Sequence, residues 1–395
     1  MKKTLMLLAT MMFVFASCGT DDPVTPEQPS KPGSEEPEPE PEKPDKPVGA
    51  IDLNSNNPET ANCYIVSKEG RYCFTANVIG NGDTGLVSGL EPSVATITPT
   101  KAILLWSETD KLISDVEYKD GKIYFTCSRF DGNAVIAATD DAGKILWSWH
   151  IWSTVAPETF KLQYSDGKTT WEVMDRNLGA YSKNVEDMED SYGMFYQWGR
   201  KDPFSMLRLD QSLPDGKFHP RKGTDTGDNQ ENKLSYSIEH PDTWLVGNQY
   251  AGDADQRSWL YSADAEGQKQ FNMLWGNNCF YSDESKLCPQ KTIFDPCPAG
   301  YRVAVHKFYM FAKDNSGVWA QDSKTGALTI CNNVIIPKAG FIDYNGEHNG
   351  SDVTVWTDSS AWGGNDKSFR ILPGDSNDQT GRGRAMPVRC MKIVK

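Results

Sequence analysis

From Ile51 to Trp152 the apolar residues of this chain recur at every second position, in short runs separated by turn residues. That period admits strands and excludes amphipathic helices, whose apolar positions come every third or fourth residue. The runs are AILLWSE, ISDVEYKDGKIYFTCSRF, NAVIAATD and KILWSWHIW, with Asp-Gly and Gly-Asn turns between them. ANCYIVSKEGRYCFTANVIG alternates around Lys68-Glu69-Gly70, which predicts a hairpin. In that hairpin Cys63 and Cys73 would face each other, provided Val66 pairs with Gly70, and would form a disulfide. Short strands at this spacing predict a β-sandwich over residues 50–158.

The chain ahead of that region is of another kind. Residues 1–18, MKKTLMLLATMMFVFASC, join a lysine pair to an apolar run and end on small residues and a cysteine. The run is too short to cross a bilayer, which takes roughly 20 residues, so it reads as a secretory signal. Ala16-Ser17-Cys18 resembles the lipobox of bacterial lipoproteins, which implies lipidation of Cys18; Phe15 stands where that motif usually has Leu. The alternative is an ordinary signal peptide whose last residue is a cysteine. Residues 19–49 carry Pro, Glu, Lys and Asp with almost nothing apolar. Such a segment buries too little surface to offset its ordering entropy, and proline with like charge extends it. At about 3.1 Å per residue it reaches roughly 80–90 Å, a stiff tether. Asp21 and Asp22 resemble the acidic signal that sends lipoproteins of Gram-negative gut anaerobes to the cell surface. The expected location is therefore the outer membrane, lipid-anchored and facing outward.

A formal net charge of −14 argues against nucleic acid and acidic membrane surfaces as partners, although much of that charge lies in the tether. Setting Cys18 aside leaves eight of the nine cysteines, an even number that in an exported chain suggests disulfides. None forms a CxxC pair, which disfavours zinc.

Two stretches rich in aromatics have two readings each. In ILWSWHIW, alternation places Trp147, Trp149 and Ile151 on one face, with Ser148, His150 and Trp152 on the other. The indoles would either stack on sugars or fill a core between two layers. YGMFYQW sends Tyr192, Met194, Tyr196 and Trp198 to one side and reads as a strand, whose rings would serve either as core or as a ligand platform. RVAVHKFYMFAKDN predicts a helix, with Phe308, Phe311 and Ala312 on one stripe.

WEVMDRNLGA, YGMFYQWGR, CPAGYRV, IIPKAGFIDYNG, TVWTDSS and MPVRCMK follow one another between residues 159 and 395. Their order and spacing resemble the Fibrobacter succinogenes major paralogous (FISUMP) domain. The resemblance implies an α+β, C-type-lectin-like domain of the formylglycine-generating-enzyme type over residues 159–395, following the sandwich in a mainly β chain. ANCYIV through LWSWHIW resembles the N-terminal part of Bacteroidales surface lipoproteins of fimbrial or adhesin type. In the FISUMP pattern Cys297 and Cys390 would form a structural disulfide. Cys279 and Cys288 flank FYSDESKL and would close a small ring, while Cys331 has no evident partner.

The residues point to no catalytic group, since none of the histidines lies in a hydrolase context. Asp225, Asp228 and Glu231 in TDTGDNQEN would offer oxygens to calcium but miss the EF-hand spacing, so a solvated loop is the default and no cofactor is expected. Trp362-Gly-Gly-Asn-Asp echoes the calcium motif of sugar-binding lectins, with two glycines breaking the match. Trp244, Trp259, Trp275 and Trp362, in loops, form the expected ligand surface. The reading is a lipid-anchored surface binding or adhesion protein for a glycan or protein ligand. Alternatives are a structural or tip subunit of a fimbria-like assembly and, more remotely, an oxidase of the formylglycine-generating kind.

Overall fold

Eight strands carry the first region: β1 (Ile51–Asp52), β2 (Cys63–Val66), β3 (Gly70–Thr75), β4 (Lys101–Ser107), β5 (Ile113–Lys119), β6 (Lys122–Cys127), β7 (Gly132–Thr139) and β8 (Ile145–Ser153). They form two four-stranded sheets, in the orders β1-β3-β6-β5 and β2-β8-β7-β4. The computed structural model describes residues 49–128, 131–163, 170–205, 223–224, 233–245, 258–260, 265–276, 290–314, 319–330, 334–343, 346–350, 352–360, 367–371 and 379–393. Among the described residues strands hold 41% and the helices are few and short, which places the chain in the mainly β class.

β5 and β6 make the hairpin that Asp120-Gly121 foretells. Both turn residues take positive φ, 51° and 79°, as a two-residue turn matching strand twist requires. The hairpin expected around Lys68-Glu69 does not form. β2 runs parallel to β8, Cys63 opposite His150, whereas β3 pairs antiparallel with β6, Cys73 opposite Tyr124. The turn thus carries the chain from one sheet to the other, and Cys63 and Cys73 remain free, buried thiols. The reason lies in burial: Cys63, Tyr64 and Val66 are all covered, so β2 needs layers on both of its sides.

The sheet β2-β8-β7-β4 is indeed a middle layer. All eight residues of β7 are buried. On one face Trp149 meets Phe74 of the other sheet, ring centroids 5.4 Å apart. On the other, Ser148 and His150 meet residues from beyond residue 158. The two faces of ILWSWHIW therefore fill a core between layers.

Beyond β8 the strands shorten. β9 (Thr159–Gln163) and β10 (Thr170–Met174) form a hairpin, and β11 (Phe195–Gln197) pairs with Ala385–Pro387. β10 also borders Cys390–Lys392, which in turn borders Tyr301–Val303. The helix stands at His306–Asp314, with Phe308 buried. Cys297 and Cys390 are joined, their Cα atoms 5.9 Å apart. Met194, Phe195, Tyr196 and Trp198 are buried, and one apolar cluster runs from Phe74 and Trp149 through Tyr196 and Trp198 to Cys390.

Candidate functional site

Two constructions hold the seam where the middle sheet meets the second region. The first is a closed polar relay. Asn133 on β7 donates from its Nδ2 to Glu108 (2.7 Å) and to the Gly179 carbonyl (2.9 Å). That leaves its Oδ1 to accept from Nε2–H of His150, 2.8 Å away, and His150 Nδ1 accepts from the Tyr196 hydroxyl at 3.2 Å. Tyr181 and Ser205 donate their hydroxyls to Glu108 at the other end. Burial lowers the His150 pKa to about 3, so the ring stays neutral in this one tautomer. His150 and Tyr196 are shut off from solvent, and this end of the relay joins the layers.

The second construction leaves a cavity. Asn62, just before β2, accepts from the Trp147 indole at 2.9 Å and donates to the carbonyls of Ile293 (2.6 Å) and Asp295 (2.9 Å). Ile293 N donates to Gly85 O at 2.9 Å, and a Cβ on Gly80 would lie 2.4 Å from Ile293 Cα. Only glycine permits that approach, at a φ of +49° that also suits it. Beside this contact opens a cleft of about 800 Å³, built from five segments that begin at Asn57 and end at Ile393. Asn81 Nδ2 donates to Lys291 O at 2.9 Å, and Gln290 Nε2 donates to Thr84 O, so the two walls are tied together. Lys291 is buried in the floor, its Nζ bound to Asp295 (2.7 Å) and to Cys297 O (2.7 Å). Burial lowers its pKa and Asp295 opposes that shift. The Cys297–Cys390 bond stands directly behind, two residues before Ala299 and two before Lys392, both of which line the cleft. The volume falls within the range of small-molecule sites, roughly 300–1,000 Å³.

The tryptophans expected to display a ligand surface are interior. Trp244, Trp259 and Trp275 are at most 2% exposed. Trp244 packs on Phe204, Trp275 on Trp198, and the Trp259 indole donates to Trp198 O at 2.8 Å. A region of short strands lacks long apolar runs, and these rings supply its buried area instead. Trp362, Cys18, Cys279, Cys288, Cys331, Asp225, Asp228 and Glu231 lie outside the described residues. Burial pushes the Cys63 thiol far up, which leaves it a poor nucleophile. Among the described residues no cluster of His, Cys, Asp or Glu is arranged to hold a metal, and no helix is long and apolar enough to cross a membrane.

The cleft escaped the sequence because its walls come from positions more than three hundred residues apart, each unremarkable on its own. Pro298-Ala-Gly, small residues beside a cysteine, was the one local signal of a floor without side chains. No protein-family profile, curated protein or solved structure matches this chain.

Proposed function

We propose that the chain is a lipid-anchored cell-surface protein that binds a glycan or protein ligand and serves in adhesion. The observation that carries this reading is the succession of a lipobox-like Ala-Ser-Cys18, a Pro- and Glu-rich sequence over residues 19–49, and a body bearing an open cleft. An acylated cysteine with a long spacer is a means of holding a binding body away from a membrane. The finer architecture in this reading is a β-sandwich followed by a FISUMP-type, C-type-lectin-like domain. Its support is that the motifs WEVM, YRV and CMK form neighbouring strands of one sheet.

The fimbrial alternative has an observation of its own. β4 is seven residues long, stands at the edge of its sheet and exposes Ile103, features that strand exchange with a neighbour requires.

Replacing Cys18 with Ser is expected to move the protein from the membrane fraction to the soluble fraction. On intact cells the unaltered protein should be digested by added protease. Membrane partition unchanged in the variant would overturn the anchoring, and full protection on intact cells would overturn the outward display.

A further inference from the structure

The cleft at the seam has a chemistry that narrows its ligand, and this step rests on the surface-binding reading above. We infer that it seats a short neutral oligosaccharide. The argument begins with what lines it: the amides of Asn57, Asn81 and Gln290, the hydroxyls of Thr60 and Thr84, and the small floor of Ala299 and Gly300. Asn57 spends its Oδ1 on Glu59 N at 3.1 Å, which turns its Nδ2 donor away from its own loop. A Cβ on Gly300 would stand 3.9 Å from that nitrogen, so the amide looks across the cleft at bare backbone. Gln290 is fixed through Nε2, which leaves Oε1 as an acceptor. A donor and an acceptor on opposite walls match vicinal hydroxyls, each of which gives one hydrogen bond and takes another.

Charge points the same way. The two lysines at the cleft are already paired, Lys291 with Asp295 and Lys392 with Glu172 at 3.0 Å. Glu59 adds a carboxylate to the lining. An anionic ligand would therefore meet lysines whose charge is already matched. A purely apolar ligand would leave the amides unpaired, at a cost for each. Ile393 and Ala299 offer apolar contact to the C–H groups of a sugar ring, while the amides take its hydroxyls. The ties between the walls and the covalent bond behind the floor hold the arrangement in place before a ligand arrives, which lowers the ordering cost of binding.

The test uses the purified full chain on an array of neutral, sialylated and sulfated oligosaccharides, followed by titration with the best neutral one. Binding to neutral glycans is expected, with an affinity nearly unchanged between low and physiological salt, since no ion pair is screened. Ala299→Trp, which fills the floor, should abolish it, and Asn57→Ala should weaken it about tenfold, the worth of one hydrogen bond. Both variants should keep the thermal midpoint of the parent. Binding that survives Ala299→Trp in a folded protein would overturn the cleft as the seat. Preference for acidic glycans, with strong salt dependence, would overturn the ligand class. Absence of any glycan binding would overturn the inference, and adherence of whole cells to immobilised matrix proteins, lost on deletion of the gene, would then show that the surface-binding reading stands without it.

Discussion

The two regions that share this core solve the problem of burial differently. In the first, β7 and β8 run for eight and nine residues, and aromatic rings interdigitate between the sheets. In the second, β11, Tyr301–Val303 and Cys390–Lys392 have three residues each. Ladders so short leave many backbone groups to be satisfied otherwise. That is the task of buried charges: Asp295 accepts from Lys291, from Cys297 N and from Val303 N, Arg302 pairs with Asp358, and Arg389 donates to Asn177, Met174 O and Ile335 O. A long ladder is specified by hydrophobic pattern. A short-stranded body leans on buried polar groups that pair across it in particular arrangements.

The contrast is broken or sharpened most by the covalent tie. Replacing Cys297 and Cys390 together with Ser removes a closure across 93 residues of chain and should cost about 4–5 kcal/mol in a denaturant titration. A loss below about 1 kcal/mol would show that the second region's polar contacts suffice without it. Next comes Asp295→Ala, which strands the Lys291 cation in the interior and should cost about 3–4 kcal/mol. Adding Lys291→Met should recover more than half of that. A double variant no more stable than the single one would assign the cost to lost packing, as in the first region.

The smallest effect concerns pH at the seam. His150 has an ordinary pKa of 6.5 and a folded value of about 3, so the unfolded chain takes up a proton that the folded one refuses. Stability from this group is whole above 6.5 and falls as pH drops from there toward 3, by about 1.4 kcal/mol per pH unit. Unfolding free energies of the parent and of His150→Gln, compared at neutral pH and near pH 4.5, isolate its share. Equal acid sensitivity in the two would acquit the histidine.

Legibility followed the same division. The β5–β6 hairpin, β7 and β8 were readable because a local turn and a period of two suffice to define them. The helix at His306–Asp314 showed its stripe. The pairing of Cys297 with Cys390 came through the resemblance of CPAGYRV and VRCMK to a family pattern, not from the spacing of the residues. The hairpin at Lys68-Glu69 misled because alternation says which residues face inward and nothing about which strand lies alongside. The loop tryptophans misled because composition marks a ring as large and flat without saying which layer covers it. The cleft, with lining residues that are individually unremarkable, exists only once distant segments meet.

One feature of the sheet bears on time rather than energy. Cys390–Lys392 lies inside its sheet, between Tyr301–Val303 and β10, and Arg389 reaches Met174 O across 215 residues of chain. β10 must therefore wait, unpaired on that side, until a stretch more than two hundred residues later has been made. The first region owes less, since β8 completes the strand order of its middle sheet by residue 153. A chain built in this order emerges with one part able to set early and the other held open to the last, exposed meanwhile to whatever proteases and chaperones surround it.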